Sequence, residues 1–131
     1  NYTARKAFLH SHSYTGNPLA CRAALATLDI FRDDDVINRN RELAAHMARA
    51  AASLAEHSHV AEVRQTGMIL AIEMQSGDRR GLKAYRAGLD NGVVLRPLGD
   101  VLYWMPPYCI NDEELRHLAA ATTTAIEEAT A

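Results

Sequence analysis

Apolar and polar positions change period several times along this chain, and each change marks an element. Residues 1–15 are polar and irregular. A helix is predicted from there to about residue 31. Asn17 offers a side-chain oxygen as its N-cap, and Pro18 suits the first helical position because its missing N–H would have no partner there. Leu19, Cys21, Ala24, Leu25, Leu28 and Phe31 leave this helix apolar on more than one face, the pattern of a helix buried between layers or against a second subunit. The acidic run Asp33-Asp34-Asp35 follows, with charge suited to a helix N-terminus. A second helix is predicted over 35–56. Val36, Leu43, Met47, Ala50 and Leu54 form one core stripe, and Arg39, Arg41, Glu42 and Arg49 take the solvent side.

Two strand-like runs, 60–66 and 68–75, are split by Gly67, and Glu73 breaks the second. It either faces solvent at a sheet edge or pairs with an arginine. Ser76-Gly77-Asp78 turns into a third helix over 80–90, which Asn91-Gly92 ends, glycine being suited to the left-handed conformation there. Two short strands, 93–96 and 101–105, flank a turn over 97–100. In the second, alternation puts Tyr103 and Met105 on one face and Trp104 on the other, toward a helix. Asn111 and Glu114 form a capping-box pair for the last helix, whose buried face is Leu115, Leu118, Ala119, Thr122 and Ile126. The order α-α-β-β-α-β-β-α with hairpin-like joins predicts a small α/β (α+β) domain, a short mixed or antiparallel sheet covered by helices.

Composition narrows the class. At 131 residues and 48% hydrophobic, the chain is long enough for one domain with a core. A formal net charge of −2 gives no reason to expect a nucleic-acid or anionic-membrane partner. No apolar run approaches the roughly 18–20 residues that span a bilayer. Cys21 and Cys109 form no CxxC or metal-spaced cluster, and are expected to be buried thiols in a reducing, cytoplasmic compartment. The first residues lack the basic-then-apolar pattern of a signal peptide, and the chain does not begin with Met, as a fragment, a processed chain or a trimmed terminus would not.

Two segments carry candidate chemistry. In Ser13-Tyr14-Thr15-Gly16-Asn17-Pro18-Leu19-Ala20, hydroxyls precede a helix N-terminus, where free N–H groups favour an anion such as phosphate. By itself this is also what a well-capped helix start looks like. In the second, Arg96-Pro97-Leu98-Gly99-Asp100-Val101-Leu102-Tyr103-Trp104-Met105-Pro106-Pro107-Tyr108, an arginine stands at a strand end. Its planar fork suits a carboxylate, although an arginine so placed is more often an ordinary surface or salt-bridged residue. The pairs His10/His12 and His57/His59 lack a third ligand at metal-site spacing, so no metal is assigned, and no nucleophile elbow is present.

The first segment resembles the one preceding the C-terminal domain of class III, pyridoxal-phosphate-dependent aminotransferases. The second, as RP.G..LY.MPPY, narrows the likeness to a branch acting on a carboxylate-bearing keto acid. The resemblance spans essentially the whole chain. It implies a homodimer with small-molecule substrates in the cytoplasm. Ser13 then matches the residue that binds the cofactor phosphate across the dimer, Arg96 the arginine that pairs with the substrate carboxylate, and Tyr103 a tyrosine of the same pocket. Ser11 and His12 stand where the family often has Gly and Pro, and Leu98 where a larger aromatic is common. These departures bear on substrate fit and leave the reaction class alone.

Transamination also needs a lysine to hold the cofactor and move a proton. Lys6 and Lys83 are the lysines of the sequence. In the family that lysine lies several tens of residues before the Gly-Asn-Pro motif, so Lys6 is too close, and Lys83 falls on the solvated third helix. The expectation is a single C-terminal small domain, 1–131, with 1–31 a lead-in loop and linking helix, the large cofactor domain absent, no catalytic residue in the chain and no activity alone. The alternatives are an aminotransferase of the same class using another amino donor or ω-amino acid, and a free-standing module that binds a small carboxylate.

Overall fold

The computed structural model describes residues 12–131, which fall into two units dividing between Val36 and Ile37. In the first, helix α1 spans Pro18–Asp33, and the Asn17 side chain accepts the N–H groups of Leu19 (3.0 Å) and Ala20 (3.1 Å), as its N-cap role predicts. No α1 residue is buried. Leu19, Leu25, Leu28 and Ile30 are each more than half exposed. Within this chain its apolar faces are therefore exposed, and the expected burial between layers or against a second subunit does not come from the described residues.

The acidic run also differs from expectation. Asp33 is the last residue of α1 and pairs with Arg32 (2.8 Å), while Asp34 is its C-cap. Asp35 has a φ of 48° and stands in the turn before α2, Val36–Ala50, whose first turn holds no acidic residue. Helix α2 stops short of residue 56 and tightens into a 3₁₀ turn, Ala52–Glu56, in which the Leu54 N–H donates to the Ala51 carbonyl (3.0 Å). The tightening carries Leu54 into the core.

The second unit is built on a four-stranded sheet in the order β1-β2-β4-β3, with every neighbouring pair antiparallel. Strand β1 is Val60–Thr66, β2 Ile69–Met74, β3 Arg96–Leu98 and β4 Val101–Trp104. Helix α3, Arg80–Asp90, connects β2 to β3, and α4, Asp112–Thr130, closes the chain. Strand β3 begins where a strand was predicted to end. The reason is the end of α3: Gly92 (φ 77°) donates to Leu89 and Val93 to Gly88 (2.9 Å), a Schellman closure that spends the Val93 N–H on the helix. Leu95 is consequently a core residue rather than a strand residue.

Leu70, Ile72, Met74, Leu102 and Trp104 project from one sheet face into a single cluster with Met47, Leu54, Ala84, Leu115 and Ile126. Trp104 is the packing residue that alternation predicts. Its Nε1–H donates to the Thr122 hydroxyl of α4 (3.1 Å), and that hydroxyl donates to the Leu118 carbonyl (2.7 Å). Asn111 caps α4 through the N–H groups of Glu113 and Glu114, and Glu114 returns a bond to the Asn111 N–H (2.9 Å), completing the capping box. The opposite sheet face carries a row in direct register, Arg64, Ala71, Tyr103 and Arg96. Both cysteines are exposed, correcting the expectation of buried thiols. Cys21 lies on a helix without buried residues, and Cys109 in the turn before α4. No helix among the described residues is long and apolar enough to cross a membrane.

Candidate functional site

The β3–β4 hairpin positions the arginine. Its loop is the residue pair Gly99-Asp100, and Gly99 takes the positive φ (62°) that two-residue hairpin loops need at their first position. From that turn the register runs Leu98 to Val101, Pro97 to Leu102 and Arg96 to Tyr103. Arg96 and Tyr103 are therefore directly opposed, with the guanidinium carbon 6.0 Å from the ring centroid, at the outer limit of a cation–π contact. Arg96 is exposed, and its guanidinium has no carboxylate partner among the described residues.

Arg64, at the far end of the same row, is in the opposite state. Its Nη1 bonds Glu62 (2.7 Å) and Glu73 (2.6 Å), which raises its already high pKa. This settles the position of Glu73, which pairs with an arginine. It also leaves Arg96 as the arginine of the row with charge to offer.

Arg96 and Tyr103 line a cavity of about 510 Å³ whose apolar wall includes Val93, Val94, Met105 and Leu118. Glu114 and His117 of α4 line it too. The sequence marked Glu114 only as a cap and His117 not at all, because α4 reaches this wall through tertiary packing that leaves no local motif. A basic group on an apolar cavity suits a carboxylate on an aliphatic body.

Ser13 belongs to the other unit, in the turn before Asn17. Thr15 is occupied, its hydroxyl accepting the His12 N–H (2.8 Å). The exposed Ser13 hydroxyl has no partner among the described residues. Ser11, His10 and Lys6 lie outside the described residues. Lys83 is exposed on α3. His57 Nδ1 accepts the His59 N–H (3.2 Å), and no group of three metal-ligating side chains gathers among the described residues.

Comparison with known proteins bears on the family and the fold. The family model for class-III aminotransferases matches residues 2–126. The adenosylmethionine-8-amino-7-oxononanoate aminotransferase of Helicobacter pylori is 41% identical over 133 residues, covering 97% of this chain and 30% of that protein. An omega-aminotransferase of Caulobacter vibrioides is 32% identical over 110 residues, covering 81% of this chain and 25% of its own. The crystal structure of adenosylmethionine-8-amino-7-oxononanoate aminotransferase from Methanocaldococcus jannaschii superposes with a TM-score of 0.83 at 33% identity, covering 98% of this chain and 32% of that one. The chain thus spans about a third of the length of these relatives. With its small antiparallel sheet, its helices and this match along nearly its whole length, the chain belongs to the class-III aminotransferase family.

Proposed function

We propose that this chain is the C-terminal, small-domain part of a pyridoxal-phosphate-dependent aminotransferase that moves an amino group from S-adenosylmethionine to 8-amino-7-oxononanoate, a step of biotin biosynthesis. The enzyme works as a cytoplasmic homodimer. The single observation that carries this reading is the Arg96–Tyr103 pair on an apolar cavity, its guanidinium without a carboxylate partner among the described residues. Arg96 grips the carboxylate of the keto acid through two parallel hydrogen bonds, and the Tyr103 ring packs along the aliphatic chain behind it. Holding the far end of the substrate fixes where its reacting carbon sits, which is catalysis by positioning.

The residues present fit one part of the cofactor. Asn17 already occupies two N–H groups of the α1 terminus, whereas the Ser13 hydroxyl has no partner among the described residues and is suited to donate to a phosphate oxygen. No described lysine suits the covalent anchor, because Lys83 lies on a solvent-facing helix position. Pyridoxal phosphate, when bound, supplies an electron sink at the reacting carbon. This chain contributes a phosphate contact to the neighbouring subunit and the carboxylate clamp, and has no transaminase activity by itself.

The test is steady-state kinetics of the full-length enzyme. Arg96→Ala raises KM for the keto acid roughly 30-fold, equivalent to about 2 kcal/mol, and leaves KM for the amino donor within experimental error. Unchanged KM for the keto acid refutes the assignment. A second reading, another amino donor or ω-amino acid, is favoured by Leu98. It stands 75% exposed two residues from Arg96, where the family often has a larger aromatic. A panel of donors and keto acids separates the two, each reading requiring the highest kcat/KM for its own pair.

A further inference from the structure

Strand β3 has three residues and lies at the sheet edge, so β4 is its one partner in the sheet. The second support for the hairpin is helix α3. Gly81, in the first turn of α3, is buried against the hairpin loop. A Cβ built at Gly81 would overlap the Gly99 carbonyl oxygen and lie 3.0 Å from the Pro97 Cβ. The obstructing atom is backbone, so no rotamer change relieves it, and either the loop or the helix must move. On its other side the loop is tied to β2, the Met74 N–H donating to the Asp100 carbonyl (2.9 Å). The loop is therefore seated between a hydrogen bond and a glycine surface, and Arg96–Tyr103 is the third residue pair from it.

We infer that Gly81 is a positioning residue for substrate recognition: its missing side chain sets how deeply the β3–β4 hairpin seats on α3, and so where the Arg96 guanidinium stands beside Tyr103. The inference rests on the proposed role of Arg96 in gripping the substrate carboxylate. Glycine in a helix costs stability relative to alanine, and here the close approach of the loop accounts for it. A displacement of about 1 Å at a substrate-holding group is large enough to lower activity by orders of magnitude.

The experiment uses the full-length enzyme with Gly81→Ala, Arg96→Ala and the double variant. Gly81→Ala raises KM for the keto acid about tenfold, with donor KM and kcat within about twofold. In the Arg96→Ala background the same substitution adds nothing, because the group it displaces is gone. An unchanged keto-acid KM in Gly81→Ala overturns the inference, and so does an equal rise with and without Arg96. If Arg96→Ala itself leaves the keto-acid KM unchanged, the carboxylate reading falls and this inference falls with it, an outcome distinct from the first two. Should Gly81→Ala fail to fold, Pro97→Gly loosens the same seat by removing the Cβ that faces Gly81. It is expected to give the same acceptor-specific rise, abolished in the Arg96→Ala background; an unchanged keto-acid KM there overturns the inference equally.

Discussion

Thr122→Val tests how the core anchors β4, whose Tyr103 lines the cavity, to α4. Thr122 and Trp104 are both buried, at 0% and 2% exposure. The Thr122 hydroxyl satisfies the indole N–H at 3.1 Å and gives its own proton to the Leu118 carbonyl. No buried side-chain polar atom lacks a partner among the described residues. Valine keeps the volume and removes the acceptor, leaving the indole N–H desolvated and unpaired. That costs about 1–3 kcal/mol. The Leu118 carbonyl keeps its place in the helix ladder, so losing the hydroxyl donation adds little. A central value of about 2 kcal/mol corresponds to a Tm drop of roughly 7 °C for a chain of this size. The assay is urea unfolding followed by the emission of Trp104, the one tryptophan of the sequence. The midpoint falls while the m-value holds. Thr122→Ser, which retains the oxygen, is the control. If the valine variant is as stable as the serine variant, the hydrogen bond is not what anchors Trp104 and the reasoning fails. The double change Trp104→Phe/Thr122→Val costs less than the sum of the single ones, because it leaves no orphan donor.

The remaining predictions concern the helices. A hydrogen bond from His46 holds the Asp112 carboxyl below its ordinary value of 3.8; desolvation opposes it, and the charges of His46, Arg116 and Arg49 each add a smaller lowering. A carboxyl lowered by folding contributes stability that is present above its unfolded pKa and lost as pH falls through its folded one. Asp112→Asn therefore flattens the acid limb of a Tm-versus-pH curve recorded from about pH 6 to about pH 2, and an unchanged slope refutes the coupling. Asn111→Ala removes the cap and the capping box of α4 together, lowering stability by about 1 kcal/mol in chemical denaturation; no loss means the cap contributes nothing there. The apolar side chains of α1 are expected to drive self-association of this chain, so replacing Leu25 and Leu28 by Glu reduces the sedimenting mass at high concentration. An equally associated variant places the contact elsewhere.

Local chemistry made much of this fold legible. The Asn17 and Asn111 caps, the Gly92 stop and the inward Trp104 each follow from one residue and its neighbours, and each stands where the pattern puts it. The hairpin shows where that legibility ends. A turn over 97–100 would have opposed Arg96 to Val101, whereas the Gly99-Asp100 loop opposes it to Tyr103. A register shift of two residues keeps Arg96 on the same face, so the face was readable and the partner was not. The start of β3 was hidden because the Val93 N–H serves the helix before it. His117 came to the cavity wall through the packing of α4, and the exposure of α1 depends on surface that its own residues do not encode.

Among the described residues strand β3 is an edge of the sheet, and exposed edges template the addition of further strands from other molecules. Pro97 has no N–H to offer an incoming strand, and Arg96 sets a charge beside it. With Val94 and Leu98 exposed on either side, this dipeptide is the part of the edge whose chemistry disfavours edge-to-edge pairing. The arginine proposed to grip the substrate thus also guards the strand edge on which it stands. Replacing it with an apolar residue to widen substrate range would carry a solubility penalty at the same position.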